Sequence, residues 1–313
     1  MITKISTKDM TKDEWLAERR KGIGGSDAAA VLGLNSYTSP YALWAEKTGK
    51  VIPEDISDKE AVRLGTDLED YVAKRFEEAT EKNVRRNNFI LRNDAYPFAH
   101  ANVDRLIVGE DAGLECKTTS SYEIIQQLKN GEIPPYWYCQ MTHYMMVTGA
   151  KKWYLGALAF GRGFFHFELE RNEHEIEALA NAEREFWAKV TNGIAPATDG
   201  TESTKEALKT VFSESVGISV DMTPVAAYVE VYNQLGKQIK EITEQQEAAA
   251  NLIKAYMGQA ERGSWGNTTI TWKNSTRKTF DKDLYEKEHG VIDARYYKES
   301  TTRTFRVSVK KGE

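Results

Sequence analysis

The apolar positions change period twice along the first 190 residues. Residues 1–20 set Trp15 and Leu16 in a polar background and predict a short amphipathic opening helix. Gly22-Ile23-Gly24-Gly25 interrupts it. Ser26 then reads as the N-cap of an alanine-rich helix over 27–32, closed by Gly33. Ser39-Pro40 opens another helix over 41–48, which Gly49 ends. Over 58–80, Ala61, Leu64, Leu68, Val72 and Phe76 recur at three- and four-residue spacing, one face of a single longer helix. The pattern then becomes strand-like. Residues 89–91, 99–108 and 114–118 predict strands, the last two joined by a turn at Gly109 to Gly113. A helix over 121–130 stops before Pro134-Pro135, and an aromatic-rich helix over 136–148 ends at Gly149. A hairpin over 152–160 and 163–169 and a helix over 173–191 complete this part.

The rest of the chain reads differently. Residues 192–221 are rich in Thr, Ser, Gly and Glu and predict a linker or lobe boundary. Beyond it, Tyr228, Leu235, Ile242, Ala249 and Tyr256 stand seven apart. Tyr232, Ile239 and Ile253 fill the positions four later, with Gln246 the polar exception. This predicts a heptad helix of about 35 residues, roughly 50 Å long. Residues 265–273 and 303–309 alternate like strands. The organisation is therefore a core over 1–195, a boundary over 196–221, and a C-terminal helix with a β-rich basic tail over 222–313.

Composition narrows the class. With 41% hydrophobic and 28% charged residues the 313-residue chain is an ordinary globular sequence, neither collagen-like nor wholly disordered. The net charge of -5 excludes a basic nucleic-acid coat, so any grip on phosphate must be local. From residue 271 onward 11 Lys and Arg face 7 Asp and Glu, which makes the tail such a patch. Two cysteines, Cys116 and Cys139, build no disulfide framework and no zinc spacing. The polar start is no signal peptide, and the stretch 144–160 is too short and too interrupted to span a bilayer. A reducing cytoplasm is the expected compartment.

The residues that carry chemistry begin with His100-Ala-Asn-Val-Asp104, followed after ten residues by Glu115-Cys-Lys117. Residues two apart in a strand share a face, so Glu115 and Lys117 project together. The glycine turn folds Asp104 towards Glu115. Two adjacent carboxylates repel unless a divalent cation lies between them, and oxygen ligands suit magnesium or manganese. A neighbouring lysine can hold or deprotonate the attacking water. The structural alternative is a solvated sheet face with a cross-strand ion pair. Glu69, at the margin of a helical apolar face, is a third acidic candidate or a surface glutamate. Gln140, His143 and Tyr144 share one helical face, which suits either a substrate groove or aromatic packing. Arg19-Arg20-Lys21 precede a glycine turn and Ser26, a place for an anion or simply a capped helix.

Taken in order, Trp15…Arg19-Arg20-x-Gly22-Ile-Gly-Gly-Ser26-Asp27, Ser39-Pro40-Tyr41…Gly49, Gly65-x-x-x-Glu69, Asp104, Glu115-x-Lys117 and Gln140-x-x-His143-Tyr144 resemble the YqaJ-type phage recombination nucleases. That family is similar to bacteriophage lambda exonuclease. The resemblance covers residues 10–190 and departs at Val103, where the family's motif has proline. It implies an α/β, restriction-endonuclease-like PD-(D/E)xK core with a mixed central sheet flanked by helices. It implies magnesium, for which manganese can substitute, bound by Asp104, Glu115 and the backbone carbonyl of Cys116, with Glu69 acting near the metal. Lys117 would act on the water, and Gln140 would stand at the site. Arg19 or Arg20, with Ser26, would hold a DNA 5′-phosphate, and His143 and Tyr144 would line the DNA groove. The implied activity is 5′-to-3′ digestion of double-stranded DNA ends in a bacterial host cytoplasm, leaving a 3′ strand for a single-strand annealing protein. A homo-oligomer, a ring-shaped trimer, is implied as well. An endonuclease of the same core and a non-catalytic DNA-end or partner-binding module are the competing readings.

Overall fold

Thr11 decides where the first helix begins. Its hydroxyl and the Glu14 side chain form a reciprocal capping box, so α1 spans only Lys12–Arg20. Residues Ile2–Ser6, expected to be helical, instead form strand β1, because they pair with a strand far along the chain. The computed structural model describes residues 1–299 and 303–308, in two units, Met1–Ser213 and Glu214–Glu313.

After α1 come α2 (Gly25–Val31) and α3 (Pro40–Lys47), the latter capped by the Ser39 hydroxyl as the sequence predicted. The α2 helix starts earlier than expected. Gly24 is its N-cap, and the Asp27 carboxylate accepts from the Gly24 N–H at 2.9 Å. The expected single helix over 58–80 is two, α4 (Glu60–Asp67) and α5 (Glu69–Thr80), meeting at Leu68. Strands β2 (Val84–Arg86), β3 (Phe89–Asn93), β4 (His100–Asn102), β5 (Arg105–Ile107) and β6 (Ala112–Thr119) follow. The stretch 99–108 is thus two strands, with Val103 and Asp104 in the gap. Then come α6 (Tyr122–Lys129), α7 (Pro135–Thr148), β7 (Lys152–Ala159), β8 (Gly163–Glu170), α8 (Glu173–Thr191) and α9 (Glu202–Val211). The α9 helix falls in the stretch read as a linker. Thr201 caps it, Ala207 is buried, and its Thr204 hydroxyl donates to the Ser39 hydroxyl at 2.8 Å. Its weak sequence pattern reflects a short amphipathic contact with α3.

Strands order β2-β5-β6-β7-β8 in a mixed sheet. Only β6 and β7 run parallel, joined through α6 and α7. A second, antiparallel sheet orders β1-β3-β4. The α7 helix is the core's axis. Ten of its fourteen residues are buried, among them Trp137, Met141, Tyr144, Met145 and Met146. A helix buried all round has no polar face to read, which is why its aromatic pattern was ambiguous. The observed core is the predicted α/β arrangement of a mixed sheet flanked by helices.

In the second unit, α10 (Ala226–Met257) carries the seven-residue stripe over 32 residues. Tyr228, Leu235, Ile242 and Tyr256 are exposed. The short hairpin of β9 (Arg262–Trp265) and β10 (Thr268–Thr271) and the helix α11 (Lys282–His289) follow. Residues 303–308, expected as a strand, are in no strand, and residue 309 lies outside the described residues. No helix of the described residues is long and apolar enough to cross a membrane.

Candidate active site

Register builds the site. Arg105 pairs with Leu114 in the antiparallel β5–β6 ladder, so one step back Asp104 stands across from Glu115. The Asp104 carboxylate accepts from the Cys116 N–H at 2.9 Å. Glu115 and Lys117 share one face of β6, and Lys117 Nζ lies 2.6 Å from Glu115 Oε1. The α7 helix lays Gln140 across them. Its amide nitrogen donates to Glu115 Oε1 and to the Tyr144 hydroxyl, both at 2.7 Å. Its amide oxygen accepts from Lys117 Nζ at 2.9 Å. Asp104, Glu115, Lys117 and Gln140 therefore form one polar cluster in the interior.

The electrostatics are those of a site short of positive charge. Burial, then the carboxylates of Glu115 and Glu69, push the Asp104 carboxyl well above its ordinary range. Burial alone would lower the Lys117 ammonium, but Glu115 beside it more than offsets this, and it stays firmly protonated. Burial, then the carboxylates of Glu115 and Asp104, raise the Tyr144 phenol. Glu115 Oε2 is buried and has no hydrogen-bond partner. An unpartnered carboxylate oxygen beside a second carboxylate fits a hard divalent cation.

Glu69 is held differently. Arg105, buried between β5 and α5, donates to Glu69, to Asp70 at 2.6 Å and to the Asp104 carbonyl at 2.7 Å. Glu69 thus lies near enough to bias Asp104 while its carboxylate is engaged by a guanidinium. Among the described residues no three His, Cys, Asp or Glu side chains close on a single point as a ready metal cage.

Beside the carboxylates opens a cleft of about 230 Å³ lined by Trp15, Arg19, Gly24, Gly25, Ser26, His100, Asn102, Asp104, Gln140 and Tyr144. Arg19 lies over the Trp15 ring at 4.6 Å and donates to the Ser26 hydroxyl at 2.9 Å. Gly25 lets α2 sit directly on α7, since a Cβ there would fall 2.5 Å from the Tyr144 ring. Burial, with Lys47 next, lowers the His100 imidazole to about 3, so it lines the cleft uncharged.

A family model described as a YqaJ-like viral recombinase domain matches residues 14–151, the stretch from α1 to the end of α7. Over 292 residues the chain is 43% identical to the uncharacterized protein YqaJ of Bacillus subtilis (strain 168), covering 89% of this chain and 91% of that one. This chain belongs to the YqaJ family. The fold of the YqaJ-family chain is similar to that of an alkaline exonuclease from Laribacter hongkongensis, with a TM-score of 0.50 and 21% identity over 58% of this chain and 94% of that one. The same exonuclease in complex with dAMP aligns equally well, at a TM-score of 0.50 and 22% identity over the same shares.

On this YqaJ-family frame the sequence-derived residues separate. Asp104, Glu115, Lys117 and Gln140 come together, with Tyr144 beside them and Arg19 and Ser26 along the cleft. Arg20 does not join them. It lines another cavity with Lys12, Glu46 and Lys47. His143, expected in the DNA groove, is fully buried with both ring nitrogens engaged and presents nothing to a substrate. Its i+3 spacing from Gln140 places it near that side of α7 but one row deeper. Trp15, Asn102 and Arg105 are site neighbours that residue-by-residue reading missed. For Asn102 a signal existed, since it lies two residues before Asp104 in extended chain and shares its face. For Arg105 no signal existed, because its carboxylate partners Glu69 and Asp70 come from α5.

Proposed function

We propose that this protein is a divalent-cation-dependent exonuclease that digests double-stranded DNA from 5′ ends. The observation that carries the reading is one cluster. Asp104 and an unpartnered Glu115 oxygen lie with Lys117 and Gln140 at the end of a cleft that holds Arg19 and Ser26. Asp104, Glu115 and the Cys116 carbonyl would hold magnesium, or manganese in its place. Such an ion would lower the pKa of a bound water and balance charge on the reacting phosphate. The protein's own part is geometric and electrostatic. Gln140 fixes Glu115 and Lys117 against one another. Lys117, cationic throughout, orients the attacking water and meets the charge that develops on the phosphate. Arg19 and Ser26, with Tyr144 behind them, form the grip for a terminal 5′-phosphate. Only a DNA end presents such a group, which favours digestion from ends over internal cutting.

The remaining parts of the reading follow the family likeness. The 3′ strand left behind would pass to a single-strand annealing protein, and a closed homo-oligomer, a ring-shaped trimer, is carried over from the same likeness rather than from the exposed apolar stripe of α10. The experiment that tests the activity is digestion of linear and covalently closed duplex DNA, each strand labelled at a known end, with magnesium, manganese or neither. The expected result is loss of linear duplex from 5′ ends with either cation and intact circles. Cleavage of closed circles would establish an endonuclease. Resistance of every linear duplex in both cations would leave a binding module.

The phosphate grip makes a separate prediction. Arg19→Ala removes a charge-assisted hydrogen bond worth about 1.5–3 kcal/mol. The preference for 5′-phosphorylated over 5′-hydroxyl ends should therefore fall by about 10- to 100-fold, with little change on hydroxyl ends. Competition digests of the two substrates measure it, and an undiminished preference would remove Arg19 from the grip.

A further inference from the structure

The polar pair beneath the site has no part in the chemistry above. His143 on α7 and Glu183 on α8 are both fully buried. Glu183 Oε1 lies 2.7 Å from His143 Nδ1, and Glu183 Oε2 has no partner at all. His143 Nε2 lies 2.9 Å from the backbone carbonyl of His100. A carbonyl only accepts, so Nε2 carries the hydrogen and donates it. Stability alone does not account for such a pair, because well-packed apolar residues in its place are often neutral or better. Glu183 spends its one engaged oxygen on orienting the ring, and the ring spends its other nitrogen on one carbonyl.

That carbonyl sits at a junction. The His100 N–H donates to the Ile23 carbonyl at 2.9 Å, and the Ile23 N–H donates to the Phe98 carbonyl at 2.8 Å. The segment entering β4 is thereby bound to the loop leading to Gly24, Gly25 and Ser26. The His100 ring packs under Gly22 and Gly24, where an added Cβ would come within 3.2 Å of its nitrogens. Four residues beyond His100 comes Asp104. One turn before His143 on α7 comes Gln140, bound to Glu115 and Lys117. The His143–His100 bond is thus a direct polar tie between the helix that orders Glu115 and Lys117 and the chain that delivers both Asp104 and the Arg19–Ser26 cleft.

We propose that His143, oriented by Glu183, is a positioning residue that sets the spacing between Asp104 and the Gln140–Glu115–Lys117 group. The proposal rests on the nuclease reading for its kinetic arm and on geometry alone for its binding arm. Two substitutions separate the tie from mere filling of the core. His143→Gln puts an amide nitrogen near the position of Nε2 and keeps a donor for the His100 carbonyl. His143→Asn reaches only the position of Nδ1, so it keeps a contact with Glu183 and gives up the carbonyl.

The measurements are kcat and KM on 5′-phosphorylated duplex, calorimetric titration with magnesium in the absence of DNA, and thermal melting. For His143→Asn, kcat should fall at least tenfold and magnesium affinity should weaken severalfold, with KM for DNA within twofold. For His143→Gln, both should stay within threefold of wild type. A purely structural role would lower the melting temperatures of both variants and leave kcat and magnesium affinity alike in the two, which would overturn the proposal. Glu183→Gln keeps the question decidable if the asparagine variant does not fold. Its amide can donate to Nδ1 of a neutral ring whose Nε2 still donates to His100, so kcat should stay within threefold. A tenfold loss in folded Glu183→Gln would show that charge rather than placement matters and would also overturn it. If wild type binds magnesium but cleaves no DNA, the nuclease reading fails while the calorimetric comparison still decides the tie.

Discussion

Replacing Lys117 with alanine will stop cleavage while leaving a folded protein that still takes up divalent cations. The ammonium is the only cationic group among Asp104, Glu115 and Gln140 in the cluster, held 2.6 Å from Glu115 and 2.9 Å from the Gln140 amide oxygen. Its removal takes away the group that orients the water and meets developing phosphate charge, a loss of about 10²–10⁴ in rate. Metal uptake moves the other way. Two carboxylates without their ammonium present a deeper negative potential, so magnesium affinity should be unchanged or higher. Single-turnover digestion of labelled duplex, calorimetric titration and circular dichroism measured together check both halves. A Lys117→Ala protein that cleaves at the wild-type rate would remove the lysine from the mechanism. A folded one that binds magnesium much more weakly would reverse its assigned electrostatics.

The second large effect has two signs in one variant. Asp104→Asn should lower cleavage by about 10²–10³-fold or more and yet raise the stability of the metal-free protein. The amide oxygen can still accept from the Cys116 N–H, so the hydrogen bond survives. What disappears is a buried carboxylate facing Glu115, the source of the raised Asp104 titration. Relief of such functional strain is commonly worth about 0.5–2 kcal/mol. The pH dependence follows from the direction of the shift. Because the folded-state pKa lies above the unfolded one, this carboxyl's contribution is fully present below the ordinary carboxylate range. It is lost as pH rises through the folded value. Metal-free wild type should therefore lose stability over that rise, and Asp104→Asn should lack that part of the slope. Added magnesium should restore wild type and not the variant. Melting curves from pH 4 to 9, with and without magnesium, read all of this. Equal stability of the two proteins without metal across that range would show that burying the Asp104 carboxylate beside Glu115 carries no cost.

Local rules were legible wherever a residue acts on its neighbours. Ser39-Pro40 starts α3, Gly149 ends α7 in the left-handed region at φ 74°, and the glycine turn before Leu114 returns the chain so that Asp104 meets Glu115. They failed where distant partners decide. Ile2–Ser6 is a strand because Phe89–Asn93 lies alongside it, and Leu68 interrupts an apolar stripe that by spacing alone runs unbroken. The contrast between Arg19 and Arg20 is of the same kind. Adjacent residues on a helix point about 100° apart. Ser26 and the Trp15 ring accept Arg19, which lines the site cleft as well as the neighbouring cavity, whereas Arg20 lines only the latter.

By itself the sequence determined that an acid, and after ten residues an acid and a lysine two apart, would be carried on neighbouring strands. Strand alternation and a tight turn are properties of a few consecutive residues. It also determined the seven-residue stripe of α10, for the same reason of short range. Tertiary structure alone decided that Arg105 engages Glu69, that Gln140 bridges Glu115 and Lys117, and that His143 faces inward to Glu183 and His100. Each of those contacts joins residues 23 to 43 positions apart in the chain. Burial then removes the water that would otherwise satisfy these groups, so each polar side chain takes the partner that packing brings to it.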